Sequence, residues 1–350
     1  MTGAATGLQI RELDETTRAA WDQFVDTCPD ATFCHRAGWK PVIERSFGHR
    51  THFLYAEADG VIQGVLPLVR IKSPLFGHRL VSNAFCVYGG PAAVSDAARE
   101  ALDRAALDLT ARYEVDYLEY RTIHPPARDD GWVTQSDVYA TFRKPLYPDP
   151  ERNMLAVPSK QRNTIRKGMK SGAKAVVEPD AARFYDVFAE NMRDLGTPVF
   201  GRNYFENLTR EFGDACEILL VTKDDYPVCG AMLFFFRNEV TPYYVGSRKG
   251  ARELSAISFM YWEALNRAAA RGCEVFDFSR SKRGTGSFDL KRHWGFVPEP
   301  LHYRYKLHRK SELPNLNPLN RKYRQFIAIW KRLPLPVANL FGPMIIRDLG

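Results

Sequence analysis

Asp277 stands between Phe276 and Phe278 in a stretch, Glu274 to Arg280, whose alternation of acid and aromatic predicts a mostly buried strand. A carboxylate there is costly unless it is paired or put to use. It can accept an amine proton or orient an acceptor, or it can close a structural ion pair with Arg280 or Lys291. Tyr243 and Tyr244 fall near the end of another apolar strand that stops at Gly246. A phenol there can protonate a leaving group, or it can pack with its hydroxyl satisfied. A third set of residues is cationic: between Arg152 and Lys174 there are seven Lys or Arg residues and no acid. Lys160, Arg162, Arg166, Lys167 and Lys170 lie on a predicted short helix, with 162 and 166 as i,i+4 neighbours and 163, 167 and 170 on another face. Arg grips phosphate with a bidentate fork and Lys acts as a point charge, so the helix is either a phosphate-holding surface or a solvated basic one.

Several chemistries are excluded. There is no G-x-S-x-G, no Walker loop and no G-x-G-x-x-G after a strand, which removes hydrolase, nucleotide triphosphatase and dinucleotide readings. The six cysteines (Cys28, Cys34, Cys86, Cys216, Cys229, Cys273) are scattered, without zinc spacing, and are expected to be buried thiols. His35, His49, His52 and His124 show no ligand spacing, so no metal site is expected. A net charge of +8 points to an anionic partner such as a nucleotide, a tRNA or a lipid surface, and DNA is not expected. No apolar run reaches membrane-spanning length, and the opening MTGAATGLQIRELDE lacks the basic and apolar regions of a signal peptide, which predicts a cytoplasmic protein.

The elements that must hold these residues are written twice along the chain. At 350 residues the chain is expected to form two domains. Phe33 to His49 followed by THFLYAEADGVIQGVLPLVR has a counterpart in Phe200 to Asp214 followed by ACEILLVTKDDYPVCGAMLFFFR. ALDLTARYEVDYLEYR, ending at Arg121, matches ALNRAAARGCEVFDFSR, ending at Arg280. Trp21, Phe24, Val25 and Cys28, and then Trp39, Val42, Ile43 and Phe47, mark amphipathic helices. Thr51–Ala58 and Val61–Ile71 flank Asp59-Gly60, a hairpin signal. The second half repeats the order with helices around Phe184–Leu195 and Phe205–Phe212, strands at Cys216–Thr222, Val228–Phe236 and Val240–Gly246, a helix near Glu253–Arg271 and the strand Glu274–Arg280. An α-α-β-β-β-α-β order implies an α/β (α+β) class with a mixed, mainly antiparallel sheet flanked by helices, not a doubly wound parallel sheet. The expected spans are 1–150, 151–310 with the site, and a tail at 311–350.

On these residues the chain resembles the Fem-type (FemAB-like) acyltransferases of the GNAT superfamily, in particular those associated with exosortase and PEP-CTERM systems. Pro158-SKQRNTIRKGMKSG-Ala173 and Val275-FDFSRSKRGTGSFDLKRHWGF-Val297 carry the resemblance, together with Tyr303-Arg304-Tyr305. The family's Phe-Asp-Phe-Gly-like strand is met by Phe276-Asp277-Phe278, with Ser279 where glycine is usual, and its Phe-x-Lys-x-x-x-Gly stretch by Phe288 to Gly295. The resemblance implies two tandem GNAT-like (acyl-CoA N-acyltransferase) domains and transfer of an acyl or aminoacyl group to an amine of an envelope or exopolysaccharide precursor. It implies Asp277, Tyr244 and Lys291 as catalytic candidates, and Lys160, Arg162, Arg166, Arg248, Ser279, Arg280 and Trp294 as substrate-binding candidates. Lys291 and Arg292 beside Trp294 would meet a ribose-phosphate or stack with a base. Strand amides of this fold supply the oxyanion donors, so no covalent nucleophile is required. Where the superfamily carries its acetyl-CoA signature, this chain has Ser247-RKGARE-Leu254. The donor is therefore either aminoacyl-tRNA or acyl-CoA, with no tightly bound cofactor. An N-acetyltransferase using acyl-CoA, and a non-catalytic scaffold for tRNA or another anionic polymer, stand as alternatives.

From Ser311 the tail is proline-rich and apolar. Leu319, Tyr323, Phe326, Ile327 and Trp330 share a helix face, with Arg321, Lys322, Arg324, Lys331 and Arg332 around it. Such a helix either docks on the second domain or lies in a membrane interface at the inner face of the cytoplasmic membrane.

Overall fold

Asp59 and Gly60 both take positive φ (53° and 77°), and that pair of left-handed residues closes the hairpin with Ala58 opposite Val61, as the Asp-Gly signal requires. The computed structural model describes residues 7–74, 76–126, 130–313 and 321–350, with side chains from residue 325 in the last segment. Leu319 and the side chains of Arg321, Lys322, Tyr323 and Arg324 lie outside the described residues.

The first part of the chain runs β1 (Gln9–Glu12), α1 (Arg18–Thr27), α2 (Trp39–Phe47), β2 (Arg50–Ala58), β3 (Val61–Ser73), β4 (Gly77–Ser82), β5 (Ala92–Ala93), α3 (Asp96–Tyr113), β6 (Tyr117–Thr122) and β7 (Val133–Gln135). There follow β8 (Tyr139–Pro145), α4 (Pro150–Leu155), α5 (Ser159–Met169), β9 (Lys174–Glu178), α6 (Ala182–Leu195), α7 (Arg202–Phe212), β10 (Cys216–Lys223), β11 (Tyr226–Phe236) and β12 (Glu239–Ser247). After these come α8 (Ala256–Ala270), β13 (Val275–Asp277), β14 (Ser281–Lys282), α9 (Gly286–His293), β15 (Pro298–Pro300), β16 (His302–Leu307), α10 (Arg321–Trp330) and α11 (Leu335–Ile346).

These form two mixed sheets flanked by helices. One has the order β1-β2-β3-β4-β6-β16-β7, and the other β14-β8-β13-β12-β11-β10-β9. In each, an antiparallel meander leads through a crossover helix to one parallel pair, β4 with β6 and β12 with β13. The apolar faces of α3 and α8 build the two cores. Leu66, Leu68, Leu80 and Leu118 gather with Ala98 and Leu102 in the first, and Phe276, Phe278, Trp294 and Met260 gather in the second.

The compact units do not follow the expected spans. One takes in 1–137, 301–315 and 348–350, and the other 138–300 and 316–347. Strand β8, inside the expected first span, pairs with β13, and β16, inside the expected second span, pairs with β6. A strand that closes a sheet is chosen by hydrogen-bonding geometry across space, which local pattern does not record. Two boundaries also differ. The strand expected over Glu274–Arg280 ends at Asp277 because Ser279 adopts φ 61°, and the helix expected from near Glu253 starts at Ala256, after Ser255 at φ 52°.

Glycine governs one contact on which the basic segment depends. A Cβ at Gly168 of α5 would stand 2.7 Å from Phe259 Cβ and 2.9 Å from the Ser255 carbonyl oxygen, so α5 lies on the first turn of α8 only because that position is bare. Gly168→Val is expected to cost about 1–3 kcal/mol through overpacking, seen as a lower urea midpoint with native circular dichroism before the transition.

Candidate active site

The parallel pair of the second unit is short. Glu239 registers with Val275 and Val240 with Phe276, and beyond these two positions β12 and β13 part. The register of β12 against β11 slips at the same place, with Met232 opposite Tyr244 and Leu233 opposite Pro242, so Tyr243 is the extra residue of a bulge. A bulge sets two successive side chains on one face. Tyr243 accordingly packs on Phe234 (5.3 Å between centroids), while Tyr244 packs on Phe205 (5.3 Å) and Phe188 (5.8 Å). Strands that part beside a bulge are where a fold can turn main-chain N–H groups toward an oxyanion. The Tyr244 hydroxyl is 2.7 Å from that of Tyr204 on α7. Tyr204 was hidden from sequence reasoning because its neighbours Phe205, Leu208 and Phe212 already define the helix face.

Past β13 the chain is clamped from both sides. Asp277, 1% exposed, accepts hydrogen bonds from the Ser279 amide (2.6 Å) and the Thr141 hydroxyl of β8 (3.1 Å). Lys291, 5% exposed at the end of α9, donates to the carbonyls of Ser279 (2.9 Å) and Arg280 (3.1 Å). Burial drives the Lys291 amine down to about 7, against the upward pull of Asp277 and with a further lowering by Arg280. The two residues hold the left-handed turn at Ser279, the position where glycine is usual in the resembled family. Both are buried, and both bond to the main chain of this turn. Thr141 comes from a strand far away in sequence and carries no sequence signal.

The remaining candidates separate. Trp294 is 0% exposed and packs edge-on against Tyr261 and Phe278 in the core, so it offers no face to a base. Arg280 lies over the Tyr139 ring at 4.7 Å. Arg248 is bonded to Glu190 (2.9 Å) and to the Pro227 carbonyl (2.9 Å), and lies over Tyr226. Arg166, Lys167 and Lys170, with Asn163 and Ser171 of the same segment and Glu253 and Leu254 before α8, line an open concavity of about 560 Å³. Lys160 is exposed and Arg162 half-buried, and neither lines it. Three cations beside the start of a helix form a surface that favours phosphate. Five of the six cysteines are buried free thiols and Cys216 is half-buried. Among the described residues no group of His, Cys, Asp or Glu is placed to hold a metal ion, and no helix is long and apolar enough to cross a membrane.

Residues 159–292, spanning α5 to α9, match the family described as an acetyltransferase (GNAT) domain. No curated protein matches the chain in sequence. Among solved structures, FemX is similar at a TM-score of 0.66 and 14% identity, over 85% of this chain and 96% of that one. The C-terminal domain of a putative lysylphosphatidylglycerol synthetase from Agrobacterium fabrum is similar at 0.55 and 12%, over 83% and 91%. A tandem GNAT protein from the clavulanic acid biosynthesis pathway is similar at 0.52 and 14%, over 87% and 100%. At these identities the likeness is one of fold: two tandem GNAT-like domains.

Two measurements test the clamp. Because the folded Lys291 amine titrates near 7, far below its unfolded value, the unfolded chain carries an extra proton above that pH, and stability from this group rises with pH. The stability of the wild type relative to Lys291→Met is therefore expected to increase between about pH 7 and about pH 9 in chemical denaturation. Ser279→Gly keeps the amide bond to Asp277 and relieves the left-handed strain, so it is expected to gain about 1 kcal/mol in the same assay.

Proposed function

We propose that the second unit transfers an acyl or aminoacyl group to an amine of an envelope or exopolysaccharide precursor. The parting of β12 and β13 beside the Tyr243 bulge carries this reading. A donor's carbonyl laid against β12 where the two strands part would have its developing oxyanion met by main-chain N–H groups, and attack by a neutral amine would need no covalent enzyme intermediate. The Tyr244–Tyr204 hydroxyl pair offers a proton route on that face, while Asp277 and Lys291 keep the end of β13 turned away. Arg166, Lys167 and Lys170 would hold the donor's phosphates, which both aminoacyl-tRNA and acyl-CoA possess. Aminoacyl-tRNA is the first reading because the chain has Ser247 to Leu254 in place of the usual CoA loop. Acyl-CoA is the second, favoured by the acetyltransferase description of residues 159–292.

The tail supports a peripheral membrane contact, as a lipid-borne precursor would require. Ala338 and Gly342 are buried, and Gly342 lies against the Val199 main chain. Leu340, Phe341 and Met344 are exposed, as are Lys331, Arg332 and Arg347 in the same tail. Exposed apolar side chains in a tail that also exposes positive charge suit the interface of an anionic bilayer.

Thermal melting with each donor tests the assignment, since a ligand bound only by the folded state raises the midpoint. A rise with aminoacylated but not deacylated tRNA is expected, and a rise confined to acetyl-CoA or longer acyl-CoAs would select the second donor. Replacing Arg166, Lys167 and Lys170 by Gln is expected to abolish the rise while leaving the unliganded midpoint close to wild type. A response that survives the triple replacement would place the donor elsewhere.

A further inference from the structure

The first unit has a buried charge that its described side chains do not balance. Arg79 of β4 lies opposite Tyr117, and Val81 opposite Glu119, so by strand alternation Arg79 and Arg121 project from the same face of the parallel pair. They are 4% and 6% exposed. Arg121 is bonded to Glu119 (2.7 Å) and to the Cys86 carbonyl (2.7 Å). Arg79 instead donates to two main-chain carbonyls, of Phe76 (3.1 Å) and Asp348 (2.8 Å), and no carboxylate among the described residues pairs with it. Two guanidiniums against the single carboxylate of Glu119 leave a buried positive charge, which is costly without an anion.

The face is occupied by Asp348–Gly350. The Asp348 carbonyl takes Arg79, and the Gly350 oxygen takes the free arm of Arg121 at 2.9 Å. Gly350, at φ 45°, sits where a Cβ would meet the tip of the Ile71 side chain and approach Ala84 and Arg79, so this end of the slot suits glycine. One residue past β4, the wholly buried Asn83 donates to the Cys34 carbonyl but leaves its Oδ1 with no donor among the described residues. The slot thus holds two fork donors and a surplus positive charge.

We propose that this face is a binding site for a peptide ligand ending in a carboxylate, with Arg79 and Arg121 on its carbonyl and carboxylate oxygens, and that Asp348–Gly350 fills it as a tethered occupant. The site belongs to the first unit.

The test uses the chain lacking residues 348–350, titrated calorimetrically with Ile-Ile-Arg-Asp-Leu-Gly, the sequence of 345–350, as free acid and as C-terminal amide. The free acid is expected to bind at least about tenfold more tightly than the amide, about 1.4 kcal/mol, and the undeleted chain is expected to bind it far more weakly because its slot is filled. Arg79→Met in the shortened chain is expected to erase the acid preference. A shortened chain with native circular dichroism that binds neither peptide, or binds both equally, overturns the proposal. Because the acid-to-amide ratio needs no arginine replacement, it decides alone if Arg79→Met does not fold.

Discussion

The second unit depends on a strand pairing that stops early. A parallel pair held through its full length would spend both edges of β12 on the sheet and leave no main chain for a substrate. Here two features end it: the Tyr243 bulge rotates β12, and the left-handed Ser279 turns the chain away just after β13. Neither is a low-energy choice alone. The turn is held because Asp277 takes its amide and Lys291 takes its carbonyls, at the expense of burying an amine whose affinity for a proton falls as a result. Buried polar groups hold the two strands apart.

The two sheets share an order of elements but treat this place differently. In the first, the parallel pair registers at three positions, and the residues on its face are Glu119 and Arg121, closed on one another and on a segment of main chain. In the second, the corresponding face carries Asp277 and Ser279, whose bonds go to the backbone turn. The same architecture therefore ends in parted strands and a clamped turn in one copy and in an occupied charged slot in the other. A duplicated fold keeps the hydrophobic pattern that builds its core while the strand ends diverge.

Burial also sorts residues that composition would group together. Lys291 and Lys170 are both basic residues within the matched domain, yet one is a buried clamp and the other lines an exposed concavity. Trp294, placed in sequence beside Lys291 and Arg292, turns wholly into the core. Along α11, small residues at 338 and 342 meet the protein, and large apolar ones at 340, 341 and 344 do not.

Periodicity and turn chemistry alone determined the helices at Trp21 and Trp39, the hairpin at Asp59-Gly60, the meander of β10 to β12 and the duplication, because these depend on contacts between residues near in the chain. The acid-free run from Arg152 to Lys174 likewise announced its basic helix, since charge clustering needs no fold to be seen. Tertiary structure decided which strand closes each sheet, that Thr141 and Tyr204 join Asp277 and Tyr244, and that Asp277 and Lys291 grip a turn. It also decided that Arg79 and Arg121 face one slot. Each of these joins residues far apart in sequence, and hydrogen-bond geometry and burial are properties of the assembled neighbourhood, which no local pattern encodes.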